Sequence, residues 1–402
     1  MITTMLRRRE LKTFVRRLVR LLRLFAPTRS HVVVAGFPDT EGNAVEVVRG
    51  LLARGEPVHW LTDALSPEQA AEVLGAPSRH LSVLPKRSMA GFTSYLTARL
   101  TFFTHGLYTS PPPPRRKPVV NLWHGDGPKA PLRDPDNIRP LATALVSGAR
   151  LFGEIKADFL AVPQDQLLVV GNPRWDQLRH PVTDHEMRRL GLDPSRPFLV
   201  HMPTFRSSRA VGSRAGWSDT PTSGGPSTAE HSTGALLAGL AAGAREAGAQ
   251  VVVKPHPLDA DAYDVPGAVV LTNDDLARAD VVLYRLLGRA AALVTDYSSV
   301  WTDFLTLDRP IGFVLNDLAD YEQGSRGLNV PNLLELLPGP QLLSPEDCEQ
   351  FATDALSDPP HLKELRATSA ELVGLASPGP SATDALFAEL RARGLYRSTD
   401  PG

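Results

Sequence analysis

Short apolar runs rich in Val and Leu recur along most of the chain, and stretches with helical spacing separate them. His31–Phe37 reads HVVVAGF, residues 41–54 are helix-like, and Pro57–Thr62 reads PVHWLT. The runs LTFFTHG (100–106), PVVNLWHG (118–125), TALVSGA (143–149) and QLLVVGN (166–172) continue the series. A second series starts at Pro197 with PFLVHMPTF. It continues through a helix over 234–247, QVVVKPHP, AVVLTND, a helix near 281–288, AALVTDYSS, a helix over 299–307 and PIGFVL. Short apolar strands alternating with helices indicate βαβ units and parallel sheets. The pattern therefore predicts two doubly wound α/β domains, over 27–190 and 191–378, with the break inside 180–196. SATDALFAELRARGL over 381–395 forms a last amphipathic helix in the 379–402 tail.

Residues 6–25 follow another rule. Leu11, Phe14, Val15, Leu18, Leu22 and Phe25 recur at spacings of three and four. Arg7, Arg8, Arg9, Lys12, Arg16, Arg17, Arg20 and Arg23 surround them, with Glu10 as the one acid. This is an apolar helical stripe bordered by arginines, and Pro27 ends it. Such a helix suits the interface of an anionic membrane, where buried apolar area and Coulomb attraction act together. A helix docked on the protein's own surface is the plainer reading. The charge density favours assigning 1–26 to membrane association.

Composition narrows the class. A chain of 402 residues suits two domains. The formal charge of −1 gives no polycation signal for nucleic acid. Cys348 is the one cysteine, so no internal disulfide or cysteine-based zinc site is available, and its polar setting suggests a bland surface or half-buried thiol. No apolar run reaches the roughly 20 residues of a membrane span. The N-terminus lacks the features of a secretory signal. A catalytic body in the cytoplasm is expected.

Neither GxGxxG nor GxxxxGK[ST] follows any strand, which removes the dinucleotide fingerprint and the P-loop. Residues 207–233, rich in Ser, Gly, Arg and Thr, read as a loop. Four polar clusters follow predicted strands, where doubly wound sheets bind ligands. In WHGDGPK, His124 is a candidate general base and Lys129 a phosphate partner, although a lone histidine there is more often structural. In GNPRWD, Arg174 and Asp176 suit a pair that holds the loop. In PTFR and KPHP, Arg206, Lys254 and His256 suit a diphosphate. In TDYSSVWTDF, Ser298 and Ser299 stand at a helix N-terminus, which makes either an anion site or a plain cap.

Taken in order, WHGxxxK, GxPRxD, PT[WF]R, KxHP and TDYSSxxxDF…RP resemble the CDP-glycerol glycerophosphotransferase family, which includes wall teichoic acid primases and polymerases. The stretch DLADYEQGSRGL and Pro338-Gly339-Pro340 extend the likeness, which covers roughly 119–342. The resemblance implies a GT-B architecture, two Rossmann-like domains facing across a cleft with the donor on the C-terminal one. It implies CDP-glycerol as donor and a polyprenyl-diphosphate-linked saccharide or polyol-phosphate chain as acceptor. His124 and His256 match the family's essential histidines. Arg206, Lys254, Thr295, Asp296, Ser298 and Ser299 fall on the donor side. Lys129, Arg174, Asp176, Asp303 and Arg326 are acceptor-side or structural. The sequence departs from the family where DGP replaces TPL, where GNPRWD replaces GYPRND, and at the 207–233 insertion.

The reaction expected is attack by an acceptor hydroxyl on the glycerol-bearing phosphorus, with CMP leaving, at the cytoplasmic face of the membrane. Phosphoryl transfer needs positioning and charge neutralisation more than covalent help. No obligatory protein-bound metal is expected, and a magnesium ion carried by the donor is compatible with the motifs. The rivals are a GT-B nucleotide-sugar glycosyltransferase, a ribitol-phosphate transferase, and a degenerate nucleotide-binding membrane scaffold.

Overall fold

Both series of apolar runs become parallel sheets in the computed structural model, which describes residues 2–129, 139–204, 228–255, 265–316, 318, 327–330 and 332–398. The chain divides into two compact units. The first comprises Met1–Asp126, Leu132–Asp176 and Ala376–Gly402, and the second Gly127–Pro131 and Gln177–Leu375.

The first unit holds a seven-stranded sheet built from β1 (Arg29–Ala35), β2 (Val58–Thr62), β3 (Leu81–Pro85), β4 (Ala98–Phe103), β5 (Val119–Asn121), β6 (Ala144–Ser147) and β7 (Leu167–Val169). Its order is β3-β2-β1-β4-β5-β6-β7, with every pairing parallel. Alternate residues of β1 serve opposite cores, because side chains in a strand alternate in direction. Val32 and Val34 pack with Val47, Val48 and Leu51 of α2 (Gly42–Ala53) and with Leu386 and Phe387 of the final helix. Val33 and Ala35 pack with Val19 and Tyr95. A strand covered on both faces has no polar alternation, which is why these runs are legible as continuous apolar stretches. Between the strands lie α3 (Pro67–Leu74), α4 (Met89–Thr97) and α5 (Arg150–Leu160). These three helices and β3 fall where the sequence pattern shows no element. β3 is a half-exposed edge strand, LSVLP, with little apolar signal.

The final helix, Ala382–Ala392, belongs to this first core through Leu386, Phe387 and Leu390. Its N-terminus is satisfied by Asp176, whose carboxylate accepts from the backbone N–H of Ala382 (2.7 Å) and Thr383 (3.1 Å) and from the Ser381 hydroxyl (2.9 Å). Free helix N–H groups and an acidic group of opposite partial charge suit each other. The expected Arg174–Asp176 pair is therefore not formed.

The N-terminal helix α1 (Ile2–Phe25) docks on this unit, and of the stripe that its sequence displays Val15 alone packs partly against the core. Val19 is buried, and Arg23 is fully buried. The Arg23 guanidinium donates to Thr101 Oγ1 (3.1 Å) and Tyr95 Oη (3.3 Å) and lies 4.4 Å from the Tyr95 ring centroid. Arg16 donates to the carbonyls of Ser110 and Arg139, each at 2.7 Å. Lys117 closes the C-terminal end of α1, donating to the carbonyls of Arg23 (2.9 Å) and Ala26 (2.7 Å). Leu11, Phe14, Leu18, Leu22 and Phe25, together with Leu21, remain exposed.

The second unit holds a five-stranded parallel sheet of β8 (Phe198–Met202), β9 (Gln250–Val253), β10 (Ala268–Val270), β11 (Ala292–Thr295) and β12 (Ile311–Phe313), in the order β10-β9-β8-β11-β12. The helix expected over 234–247 runs from Thr228 to Glu246. It packs closely on the helix Pro345–Ser357. A Cβ at Gly239 or Gly243 would stand 2.4 Å from Pro345 O or 2.5 Å from Glu349 O, so only glycine allows this approach. Cys348 lies in that contact and is buried, contrary to the surface or half-buried setting expected. Burial, with the nearby Asp347 and Glu346, pushes its thiol up to about 12, so it is not a nucleophile at neutral pH.

The docking of α1 has a measurable consequence. Arg23→Ala leaves buried hydrogen-bonding groups on Tyr95 and Thr101 without their donor, and should cost about 1–3 kcal/mol. Urea unfolding followed by tryptophan fluorescence is the check, and an unchanged midpoint would show that the guanidinium holds nothing.

Candidate active site

In each sheet the strand order reverses at one place, and open α/β sheets bind ligands beside the carboxyl ends of the strands there. In the first unit this is the β1/β4 boundary. The residues leaving those strands are Gly36 and Phe37 on one side and Thr104 and His105 on the other, with Trp123 and His124 leaving the adjacent β5.

The turn that carries His124 is pinned from several directions. Trp123 has φ +53°, a left-handed conformation that a non-glycine residue adopts at a cost. Its N–H donates to Asn121 Oδ1 (2.9 Å), and its carbonyl accepts from Asn43 Nδ2 (3.2 Å). The carbonyl of His124 accepts from Arg174 Nη1 (2.8 Å). The Arg174 backbone N–H donates to Asn43 Oδ1 (3.1 Å), and its guanidinium lies 3.6 Å from Glu41 Oε1. Arg174 thus holds the histidine turn.

Two residues further on, Asp126 is fully buried. It accepts from Ser147 Oγ (2.6 Å), the Gly148 N–H (2.7 Å), Asn172 Nδ2 (2.8 Å) and the Lys156 ammonium. Burial alone would raise its carboxyl, but Lys156 and these hydrogen bonds hold it below the usual carboxylate range. The Asp126 of DGP, one of the departures from the family pattern, therefore ties the ends of β5, β6 and β7 together. Neither Asp126 nor His105 was singled out by the sequence. The signal for His105 was present in the run LTFFTHG, which places Thr-His-Gly at a strand end.

In the second unit the reversal lies between β8 and β11. The buried Asp296 joins the two strand ends: it accepts from the Thr204 N–H (2.8 Å), Thr204 Oγ1 (2.9 Å) and the Ser298 N–H (3.1 Å). Thr295 Oγ1 donates to the Met202 carbonyl (2.6 Å). Ser298 Oγ accepts from the Val300 N–H (3.5 Å) at the start of the short helix Val300–Phe304, so the plain-cap reading describes Ser298, while Ser299 makes no side-chain cap bond. Gly127–Lys129 join this unit. Lys129 bridges to Leu328, Asn329 N donates to Pro128 O (2.8 Å), and a Cβ on Gly127 would meet Ser299 Cβ at 2.8 Å. Lys254, at the end of β9, is buried and donates to the Pro255 carbonyl (3.1 Å). Burial lowers its pKa, and Asp275 partly offsets this. Asp303 accepts from Tyr284 Oη (2.6 Å) in the interior, a structural position. Arg206, His256 and Arg326 lie outside the described residues, as does most of the 207–233 insertion.

Chemically, the first unit offers a histidine on a rigid turn. The second offers the Ser298 and Ser299 hydroxyls and a buried ammonium at neighbouring strand ends, a set suited to phosphate oxygens. Among the described residues no three His, Cys, Asp or Glu side chains gather to hold a metal ion.

The Asp126–Lys156 pair makes a clear prediction. Asp126→Ala strands a buried ammonium and should destabilise the first unit by about 3–5 kcal/mol. Thermal or urea unfolding checks this, and a loss under about 1 kcal/mol would deny the pair its anchoring role.

Comparison with known proteins places the chain. A sequence profile of the CDP-Glycerol:Poly(glycerophosphate) glycerophosphotransferase family matches residues 77–371. Over 254 residues the chain is 27% identical to a teichoic acid poly(glycerol phosphate) polymerase of Staphylococcus epidermidis, covering 56% of this chain and 32% of that protein. Over 87 residues it is 39% identical to a teichoic acid glycerol-phosphate primase of Bacillus subtilis, covering 22% of each. The matches thus span about a third and a fifth of those relatives' lengths. Among solved structures, a histidine variant of the wall teichoic acid polymerase TagF soaked with CDPG superposes with a TM-score of 0.70 at 18% identity, over 96% of this chain and 94% of that one. A UDP-GlcNAc 2-epimerase from Neisseria meningitidis bound to UDP-GlcNAc gives 0.52 at 11%, over 90% and 99%. These likenesses establish the GT-B fold, and the profile match, which takes in the residues of both sheet-reversal sites from Thr104 onward, shows that this chain belongs to the CDP-glycerol glycerophosphotransferase family.

Proposed function

We propose that this protein transfers glycerol phosphate from CDP-glycerol to a lipid-linked cell-wall polymer acceptor, releasing CMP, in teichoic acid synthesis. The observation that carries this reading is the family match over residues 77–371, within which the polar strand ends of both sheets fall. An acceptor hydroxyl attacks the glycerol-bearing phosphorus. A phosphorus–oxygen bond forms to the acceptor, the bond to the CMP phosphate breaks, and the hydroxyl proton passes to His124. Ser298, Ser299 and Lys254, with Arg206 and His256, hold the diphosphate and the departing CMP by hydrogen bonds and charge. Asp296 and Thr295 set the loop that presents the serines. Any magnesium ion enters with the donor.

His124→Ala should lower kcat on the order of 10²–10⁴-fold, as for loss of a general base, with CDP-glycerol affinity nearly intact. Steady-state rates paired with calorimetry read both quantities, and near-normal turnover would remove His124 from the mechanism. The same titration, run in competition with UDP- and GDP-sugars, separates this reading from a sugar transferase. Preference for a nucleotide sugar would replace it.

No helix among the described residues is long and apolar enough to cross a membrane. The reading is completed by α1 as a peripheral attachment to the cytoplasmic face. Its exposed apolar side chains are bordered by exposed Lys12, Arg17 and Arg20. Each basic residue near an anionic surface contributes about 1 kcal/mol, which salt screens, whereas the apolar part persists. Co-sedimentation with phosphatidylserine vesicles should weaken with salt without vanishing. It should be lost in Leu11→Glu/Phe14→Glu/Leu18→Glu, which alters exposed residues and leaves the docked face intact. Equal sedimentation of the variant would place the attachment elsewhere.

A further inference from the structure

We propose that His105 is a positioning residue for the transfer, its ring serving as the platform that holds the His124 imidazole in register with the acceptor hydroxyl. The inference rests on reading His124 as the base and adds a residue which that reading does not contain.

β4 lies directly beside β1 at the place where the strand order reverses, so the first residues after it stand at the most constrained part of the ligand-facing edge. Thr104 fixes the departure of the chain. Its N–H donates to the Ala35 carbonyl (3.2 Å), its hydroxyl accepts from the Phe37 N–H (3.1 Å), and the same hydroxyl lies 3.0 Å from His105 Nδ1. The edge of the His105 ring system is met by Phe37, at a centroid distance of 5.5 Å and an interplanar angle of 72°. A ring held through backbone, hydroxyl and aromatic edge has little rotational freedom.

That fixed ring is stacked on His124, with centroids 4.1 Å apart and planes 15° from parallel. His124 also lies against the indole of Trp123, at 4.5 Å and 28°. Its own backbone is pinned by Arg174, so the peptide is set by hydrogen bonds and the ring by stacking. A general base must sit within hydrogen-bond reach of its proton, and small misplacements are costly in rate.

The chemistry of the platform matters too. Among the described residues, the Lys86 charge at the end of β3 acts on His105, and Arg174 after β7, 3.6 Å from Glu41 at the start of α2, donates to the His124 carbonyl. Lys86 is itself held by the Gly36 carbonyl, Asp39 and Asp63 at 2.8, 2.8 and 3.0 Å. Burial, helped by the Lys86 charge, pushes His105 down to about 4, so it stays neutral while the reaction runs. A neutral aromatic face tolerates and attracts the imidazolium that forms when His124 takes its proton, whereas a second cation at that distance would repel it. What His105 supplies is therefore a flat, uncharged ring.

The test compares His105→Leu and His105→Phe with the wild type and with His124→Ala, reading kcat, CDP-glycerol affinity by calorimetry, and the pH dependence of kcat. His105→Leu should lose about 10–100-fold in kcat with donor affinity unchanged. His105→Phe restores a flat neutral ring and should recover most of that loss, with the acid limb of the profile where the wild type has it. If His105→Leu melts out, His105→Gln, which has polar bulk and no ring, takes its place. Wild-type kcat in the leucine or glutamine variant overturns the proposal. So does a phenylalanine variant as inactive as His124→Ala, since the nitrogens of His105 would then be what counts. An active His124→Ala would instead remove the base itself, a separate failure.

Discussion

Asp126 gives up its hydration completely on folding, and the site of the first unit depends on how that loss is met. An isolated buried carboxylate is very costly, so the chain must surround it with donors. Lys156 comes from α5, Ser147 and Gly148 from the end of β6, and Asn172 from beyond β7. Satisfying one charge therefore fixes three neighbouring strand ends. Asp296 does the same work in the second unit with a smaller set, drawing the Thr204 and Ser298 loops together across the β8/β11 boundary. Parallel sheets collect all their loops at one edge, and loops alone are poor at holding catalytic geometry. A buried carboxylate among the strand ends of each sheet, joining β5, β6 and β7 in the first and β8 and β11 in the second, supplies the missing rigidity.

The same logic explains α1. Its docking surface is a row containing Val15, Arg16, Val19 and Arg23, and the rest of the apolar stripe lies outside it. Arginine can be buried when its guanidinium is hydrogen-bonded and its stem packs, and Arg23 meets both conditions against Tyr95 and Thr101. Docking through arginines leaves the stripe available for something else. That division of faces lets one helix be both part of the fold and an attachment surface.

Much of the architecture is readable from the residues because the strands are covered on both faces. HVVVAGF, QVVVKPHP and AALVTDYSS show no polar alternation, and each becomes a strand that ends at a polar cluster. The edge strand LSVLP gives no such signal, being half exposed. Pairings are harder to read than strands. Arg174 and Asp176 are two residues apart, yet one turns to the His124 carbonyl and the other to the final helix, because a short helical turn points them apart and long-range partners decide. Asp126 and His105 show the same limit. Each stands beside a motif in plain view, but their importance comes from Lys156 and His124, which only the folded sheet brings to them. The membership of 376–402 in the first unit likewise depends on core contacts of Leu386 and Phe387 that no local pattern records.

The group transferred is what defines this enzyme. Mass spectrometry of a short lipid-linked disaccharide incubated with the full chain and CDP-glycerol measures it directly. The acceptor should gain one or more glycerol-phosphate units, with one CMP released for each. An unchanged acceptor beside intact CDP-glycerol, or an acceptor that gains a hexose from a nucleotide sugar instead, would contradict glycerol-phosphate transfer.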